Sequence, residues 1–324
     1  MLGERNFPVA ELYPFGTDAA VGHDVELGDE VLPVESEPPV MQGYDLMFVC
    51  TPPGAALDLV RDALRAELAC IDCSGALARS PDVPFGLADR SPAAPLVGAP
   101  VIAAPAGPAL TWGRVLSALD AFGGLERVNG TILQTASYAG TRGIDALSDE
   151  TIALLSSSPT PEQGVFPVEI AFDCIPRSVA GASGGDVDEN DVGVEIDGGI
   201  EADIAATLER LVGRAVPLAA TLVQVPAFVG EGSSLTIELA EAFEPADVLD
   251  ALDKTPGIRR FSSGGGILPG PSTREAAGSD DVLIGSLRRD PSNPRAIQLW
   301  MVADPLRIAA CNAVKLAEAR THLH

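Results

Sequence analysis

Basic charge is what this sequence has least of. Its 324 residues carry 21 Lys and Arg against 46 Asp and Glu, a formal net charge of −25, and only Lys254 and Lys315 are lysines. No basic stripe is present to neutralise phosphates, so neither nucleic acid nor an anionic membrane is an expected partner. The acidic excess reads as a solvated surface, of the kind a salt-tolerant or lysine-poor proteome carries. Long apolar runs are also missing, and none approaches the ~20 residues a membrane span needs. Five cysteines, Cys50, Cys70, Cys73, Cys174 and Cys311, show no metal-ligand spacing, so no metal is expected. Cys70-Ile71-Asp72-Cys73 has the CxxC spacing, but it falls where a strand should end and not at a helix N-terminus that would lower a thiol pKa. Redox chemistry is not expected from it. The odd count, with no signal peptide, fits a reducing cytoplasm.

What is present is an ordinary globular composition, 46 % apolar and 21 % charged, in a chain long enough for two domains. Tyr44–Cys50 reads as a strand closed by Thr51-Pro52-Pro53-Gly54, and proline suits a first helical turn, where its missing donor would be unpaired anyway. Leu57, Val60, Leu64 and Leu68 then recur at helical spacing, with Asp58, Arg61, Asp62 and Arg65 outside. Ala69–Cys73 and Pro100–Ala104 read as further strands. Strand, helix, strand at this spacing predicts a parallel βαβ unit and an α/β, doubly wound sheet.

From about residue 110 the pattern changes. Helices are predicted at Thr111–Phe122, Ile144–Leu155, Glu201–Val212 and Pro245–Leu252. Strands are predicted at Val128–Ala136, Val165–Phe172, Leu218–Phe228, Ser234–Leu239, Val282–Leu287 and Ala296–Val302. Consecutive β runs with few intervening helices imply a mostly antiparallel sheet backed by helices. Pro305–Arg320 is a predicted helix with Leu306, Ala309, Ala310, Ala313, Val314 and Ala317 on one broad apolar face. Asp186, Asp188 and Asn190 have the spacing that opens a calcium loop, but Asp191 stands at the turn-glycine position and Asp197 at the bidentate one, so residues 178–200 read as a solvated loop. Gly264-Gly265-Gly266 has no Lys-Ser/Thr after it and is a connection, not a phosphate loop.

Several segments carry a family signature together: Glu4–Leu12, Ile71–Ser74 with Pro81–Pro84, Ala99–Trp112, Leu287–Asp290, Leu299–Asp304 and Asn312–Glu318. In them the chain resembles the aspartate-semialdehyde dehydrogenase family nearly end to end. The resemblance implies an incomplete Rossmann-like NADP-binding domain over 1–106 and 305–324, to which the last helix returns, and an α+β dimerisation domain over 107–304. It also implies that the family's opening strand and Gly-rich phosphate turn, about 25 residues in a usual βαβ opening, precede this start. A parallel sheet without its first strand would expose an unpaired edge.

The family's enzymes attack with a Cys thiolate from an Asn-Pro-Asn-Cys turn, use a His as acid/base, and hold phosphate and carboxylate with arginines. Here the turn reads Ala104-Pro105-Ala106-Gly107, so Gly107 stands at the nucleophile. Val223–Glu231 matches the family's Val-Arg-Val-Pro…Gly-His segment, placing Gln224 at a substrate arginine and Glu231 at the histidine. Ala78 falls at the phosphate arginine, with Arg79 beside it. The chain's three histidines, His23, His322 and His324, cannot take the missing role by a shift of register. Ala136–Gly140 followed by Arg142-Gly143 also resembles the divergent Usg-type paralogues, some of which lack the nucleophile. Thr51, Gly54, Ser74 and Asn312 are what the resemblance leaves of the nucleotide crevice, with NADP binding expected only from an extended N-terminus.

Three functions follow. The first is a non-catalytic paralogue acting as a homodimer or beside a catalytic homologue. The second is an active NADP-dependent oxidoreductase of amino-acid biosynthesis, using Cys73 and Glu231 as nucleophile and base. The third is a small-molecule sensor in which Gln224 and Glu231 favour a neutral or cationic ligand.

Overall fold

The protein is described here by a computed structural model, which covers residues 1–16, 21–91, 94–160, 164–177, 199–262 and 269–321. The calcium-like spacing at 186–197, the Gly264–Gly266 connection, and His322 and His324 lie outside the described residues. The chain divides into two compact units, Met1–Ala106 with Ala309–His324, and Gly107–Ile308.

The first unit opens with a short antiparallel hairpin, β1 (Asp24–Leu27) and β2 (Glu30–Pro33), whose polar composition gave no sequence signal. Three parallel strands follow, β3 (Leu46–Val49), β4 (Ala69–Asp72) and β5 (Val101–Ala103), in that spatial order. Their registers align Val49 with Asp72 and Asp72 with Ala103. The predicted βαβ unit is therefore present. Of the predicted apolar stripe, Val60 on its helix α1 (Pro53–Arg65) and Leu68 just beyond it are buried, and the other two members are not. Ala56, Val60 and Ala63 face the sheet, while Leu57 and Leu64 are exposed. Small side chains let the helix axis approach the strands closely, and that contact outweighs the larger apolar area of the leucines. β3 stands at the sheet edge, with no second strand partner among the described residues. An apolar cavity of about 330 Å³ runs beside it, lined among others by Tyr13, Phe15, Val34, Met41 and Phe48.

The C-terminal helix (Pro305–Thr321) crosses from one unit to the other, and its second half covers this sheet. Ala313, Leu316 and Ala317 pack on Ile71, Leu96, Ile102 and Ala104. Arg5 grips Glu318 through two hydrogen bonds of 2.9 and 2.5 Å, and Lys315 pairs with Asp89 at 2.9 Å. Leu306, expected on the buried face, is exposed, because it precedes the stretch that meets the sheet.

The second unit is built on a seven-stranded sheet. Its elements are α2 (Gly107–Gly123), β6 (Leu125–Gln134), a 3-10 turn at Ala136–Ala139, α3 (Gly140–Ser156), β7 (Ile175–Arg177), α4 (Ile200–Val212), β8 (Leu218–Gln224), β9 (Glu231–Leu239), α5 (Pro245–Asp253), β10 (Ile258–Arg260), α6 (Thr273–Ala276), β11 (Val282–Asp290) and β12 (Asn293–Ala303). The spatial order is β10-β11-β12-β9-β6-β8-β7, with four antiparallel and two parallel pairings. The sheet is mixed and mostly antiparallel, as its composition implies. α2 is enclosed from Pro108 to Leu119 and packs on α4, α5, β6 and β9. Such all-round burial explains why this helix reads as apolar on every side.

One predicted strand is absent. Val165–Phe172 forms bends and a turn. The buried Glu150 carboxylate on α3 accepts hydrogen bonds from the backbone N–H groups of Ile170 (2.7 Å) and Ala171 (3.0 Å), so those donors are lost to any ladder. Ile170 and Ala171 still pack on Ala136 and Leu147, which accounts for the apolar alternation. The strand predicted over Leu218–Phe228 ends at Gln224, just before Pro226 removes a donor.

α2 packs tightly on the sheet at Gly130, where an added Cβ would lie 2.4 Å from the Trp112 ring and 2.5 Å from Leu235. Both neighbours are buried and cannot swing away. Gly130→Ala is expected to cost about 1–3 kcal/mol through overpacking, read as a lowered urea midpoint at unchanged slope. An unchanged midpoint would show that α2 can lift from the sheet freely.

Candidate functional site

In the second unit, one rung of the sheet gathers the relevant residues. β6 pairs with β8 on one side and β9 on the other, so Gln134 stands opposite both Gln224 and Glu231. All three are buried. Beyond the rung the chain turns tightly. The Val225 N–H bonds the Gln134 carbonyl (2.8 Å), the Ala227 N–H bonds the Val225 carbonyl (2.9 Å), and the Ala136 and Ser137 N–H groups bond the Ala227 and Phe228 carbonyls. Gly230 has φ +89°, and a Cβ there would lie 2.7 Å from the Thr273 carbonyl oxygen. Glycine is thus the residue this approach requires.

These turns aim Glu231 into the space beneath α2. The Thr111 hydroxyl donates to Glu231 Oε1 at 2.7 Å, and the Tyr138 hydroxyl donates to Oε2. Burial pushes the Glu231 carboxyl up to about 7, and the hydrogen bonds from Tyr138 and Thr111 oppose that rise. Tyr138 is raised well above its ordinary value by burial and by the neighbouring carboxylate. Gly107 starts α2 with φ +50°, and a Cβ there would sit 3.7 Å from the Tyr138 hydroxyl oxygen. Position 107 therefore faces the phenol that Glu231 accepts from. Gln224 lies in the same layer, but its side-chain amide donates to the Gln134 carbonyl at 3.0 Å and is turned into the sheet. Arg177 on β7 approaches its Oε1 at 3.4 Å.

The first unit holds the other candidates. Asp72, fully buried, accepts from the Ser74 N–H (3.0 Å), the Ser74 hydroxyl (2.5 Å) and the Leu77 N–H (2.8 Å), which locks the turn after β4. Ser74 Oγ in turn accepts from the Ala76 N–H. Ala78 is buried in that turn and Arg79 is exposed. Asn312 is also buried, accepting from the Ala88 N–H (2.8 Å) and donating to the Gly86 carbonyl (3.3 Å). Both ends of its amide hold the Phe85–Ala88 loop. Gly54 lies in the first turn of α1 with open space where a Cβ would be, and the buried Thr51 hydroxyl oxygen has no partner among the described residues.

Comparison with known proteins gives the ancestry of this arrangement. Residues 116–308 match the family model described as "Semialdehyde dehydrogenase, dimerisation domain", and residues 1–94 match "Semialdehyde dehydrogenase, NAD binding domain". The chain belongs to the semialdehyde dehydrogenase family. It is 29 % identical to the aspartate-semialdehyde dehydrogenase of Rickettsia bellii over 323 residues, covering 98 % of this chain and 91 % of the relative. The crystal structure of aspartate semialdehyde dehydrogenase II from Vibrio cholerae, complexed with ASA, superposes with a TM-score of 0.84 at 27 % identity, covering 98 % of this chain and 92 % of that one. A probable aspartate-semialdehyde dehydrogenase from Pseudomonas aeruginosa gives 0.82 at 28 % identity, with the same coverage. Among the described residues no helix is long and apolar enough to cross a membrane.

Gly107, Glu231 and Gln224, singled out in the sequence, all lie in the second unit, and Tyr138 stands beside both Gly107 and Glu231. Sequence reasoning missed Thr111 and Tyr138, which hold Glu231. Their signal was spacing: Thr111 lies four residues after Gly107, one helical turn on, and Tyr138 lies in the turn just beyond β6. The network makes a buried carboxyl held between two hydroxyls.

Because the Glu231 pKa is raised from 4.5 to about 7 on folding, the native state binds more protons between those values, and stability falls as pH rises through them. The loss levels off above pH ~7 at on the order of 3 kcal/mol. Glu231→Gln is expected to lose this slope, so urea midpoints of wild type and variant should diverge between pH 5 and 8, the variant gaining at the alkaline end. Parallel profiles would mean that the carboxyl titrates normally.

Proposed function

We propose that this chain is a non-catalytic member of the aspartate-semialdehyde dehydrogenase family that acts by association, as a homodimer through the domain spanning 107–304 and beside a catalytic homologue. The observation that carries the reading is the content of the site around Tyr138. Acyl transfer with hydride removal needs a nucleophile to form the tetrahedral adduct and a base to collect its proton. Gly107 offers no side chain to the first task. Its positive φ also makes any side chain there strained. Glu231 is buried, with each carboxylate oxygen accepting from a hydroxyl inside the protein, so it is held away from solvent and not presented to an incoming substrate. The same closure argues against a sensor that would recruit a cation with Glu231. The substitution of nucleophile, acid/base and arginine together is consistent with the Usg-type paralogues.

The first unit supports the same conclusion for NADP. A dinucleotide needs backbone donors at a helix N-terminus. α1 enters through Pro52 and Pro53, which have no N–H, and the Ala55 and Ala56 N–H groups already bond the Pro52 carbonyl. Ser74 and Asn312 are engaged internally, and Ala78 has no charge to offer. What remains beside Gly54 is the Thr51 hydroxyl, which has no partner among the described residues, and one hydroxyl does not make a dinucleotide-phosphate cradle. Nor does Cys73 make a good nucleophile, since its thiol is pushed up by the hydrogen bond it shares with Cys50 and by burial.

The purified chain, given NADP⁺, aspartate semialdehyde and phosphate, is expected to show no reduction of the cofactor above a blank. Light scattering should report twice the 33.4 kDa chain mass. A measurable rate would overturn the non-catalytic reading, and a monomer at micromolar concentration would overturn the homodimer.

A further inference from the structure

The CxxC segment draws attention to Cys70 and Cys73, but the fold separates those two thiols. Successive residues of a strand point to opposite sheet faces. Cys70 packs with Val49, Ala56 and Val60 under α1, whereas Cys73 packs with Ile71 on the face covered by the C-terminal helix. Cys70 is fully buried, bonds the Leu68 carbonyl at 3.6 Å, and is pushed up to about 11 by burial. It is an inert core thiol.

The neighbour of Cys73 is Cys50. β3 and β4 run parallel with Val49 opposite Asp72, so Cys50 and Cys73 are the next pair, one residue past the last rung. The Cys73 N–H bonds the Val49 carbonyl at 3.0 Å, which holds the two chain exits together. Met47 and Val49 face α1 while Leu46 and Phe48 face the other side. Alternation therefore sends Cys50 to the same side as Cys73. Adjacent strands lie about 4.8 Å apart, within the Cα separation a disulfide tolerates. Both residues lie outside the ladder, so closing a bond there need not break a rung.

We propose that Cys50 and Cys73 are a dithiol modification site, closing to a reversible disulfide when the protein meets a low-molecular-weight disulfide such as oxidised glutathione. Cys50 is exposed and is the attacking group. The hydrogen bond from the Cys73 thiol favours its thiolate, which outweighs the opposing effects of burial and of Asp72. The Cys50 thiolate attacks one sulfur of oxidised glutathione, forming a mixed disulfide and releasing one glutathione thiolate. Cys73 passes its proton to that thiolate or to solvent. Its sulfur then attacks Cys50, breaking the mixed bond and releasing the second glutathione. Two protein thiols are oxidised and one glutathione disulfide is reduced to two thiols, with no other co-reactant. The new bond would tie the Thr51–Pro53 entry of α1 to the Asp72–Leu77 turn. Those are the carboxyl ends of the parallel strands, where doubly wound folds receive ligands.

The test uses the full chain in glutathione buffers of increasing oxidised fraction, with alkylation of remaining thiols and peptide mass mapping. Wild type should lose Cys50 and Cys73 together, as a Cys50–Cys73 cross-linked peptide that dithiothreitol reverses. Exposed Cys174 should carry only a glutathione adduct, and Cys70 and Cys311 should stay free. Cys73→Ser should trap Cys50 as a stable glutathione adduct, and Cys50→Ser should leave Cys73 unmodified. The proposal falls if wild type holds the Cys50 adduct to the same extent as Cys73→Ser. It also falls if Cys73 pairs with Cys70, or if both thiols stay free where Cys174 is fully modified.

Discussion

The organising constraint of the second unit is the double pairing of β6. Because it meets β8 in parallel and β9 in antiparallel register, a single rung brings residues far apart in the chain, Gln134, Gln224 and Glu231, to one level of the sheet. α2 is laid over that level, with Trp112 donating to Ser233 at 2.9 Å and packing close over Gly130. The carboxyl of Glu231 ends up without solvent and with two hydroxyl donors. Its chemistry is a result of packing: the same side chain on the surface would be an ordinary acid. The rung, the turns and α2 are scaffold that sets where these side chains stand whatever their identity.

Charge is distributed in keeping with that. In a chain this acidic, the basic groups near the scaffold serve it. Arg5 and Lys315 secure the C-terminal helix, and the buried Arg114 donates to the carbonyls of Gly257 and Asp280. Arg307 pairs with Asp280, and Arg295 with Glu238. At the site layer Arg177 approaches Gln224 at a distance too long for a strong bond. An anionic substrate entering that layer would meet an acid, a phenol and two amides.

How much of this was legible depended on whether the deciding contact was local. The βαβ unit followed from proline placement and apolar spacing, and the mostly antiparallel sheet from the run of short β segments. That positions 224 and 231 belong to one neighbourhood with 107 is what the fold adds to the short motifs that singled them out. What stayed hidden was set by partners distant in sequence. Val165–Phe172 alternates like a strand, yet Glu150 takes its donors. Leu57 and Leu64 look like a buried stripe, yet Ala56 and Ala63 fit the sheet more closely. Cys73 has a visible CxxC partner, yet strand alternation turns Cys70 away and parallel register supplies Cys50. Thr111 and Tyr138 matter only because Glu231, from a third segment, arrives between them.

The C-terminal helix gives the chain an order of assembly. The parallel sheet of residues 46–103 has one face that Phe7 and Leu96 cover only in part until Ala313, Leu316 and Ala317 arrive. At the roughly 5–20 residues per second of protein synthesis, that interval is on the order of ten to forty seconds. During it, the second unit can emerge and fold around its own sheet while the first waits with Ile71 and Ile102 only partly covered. The parallel sheet is thus completed only after the whole of the second unit has been made.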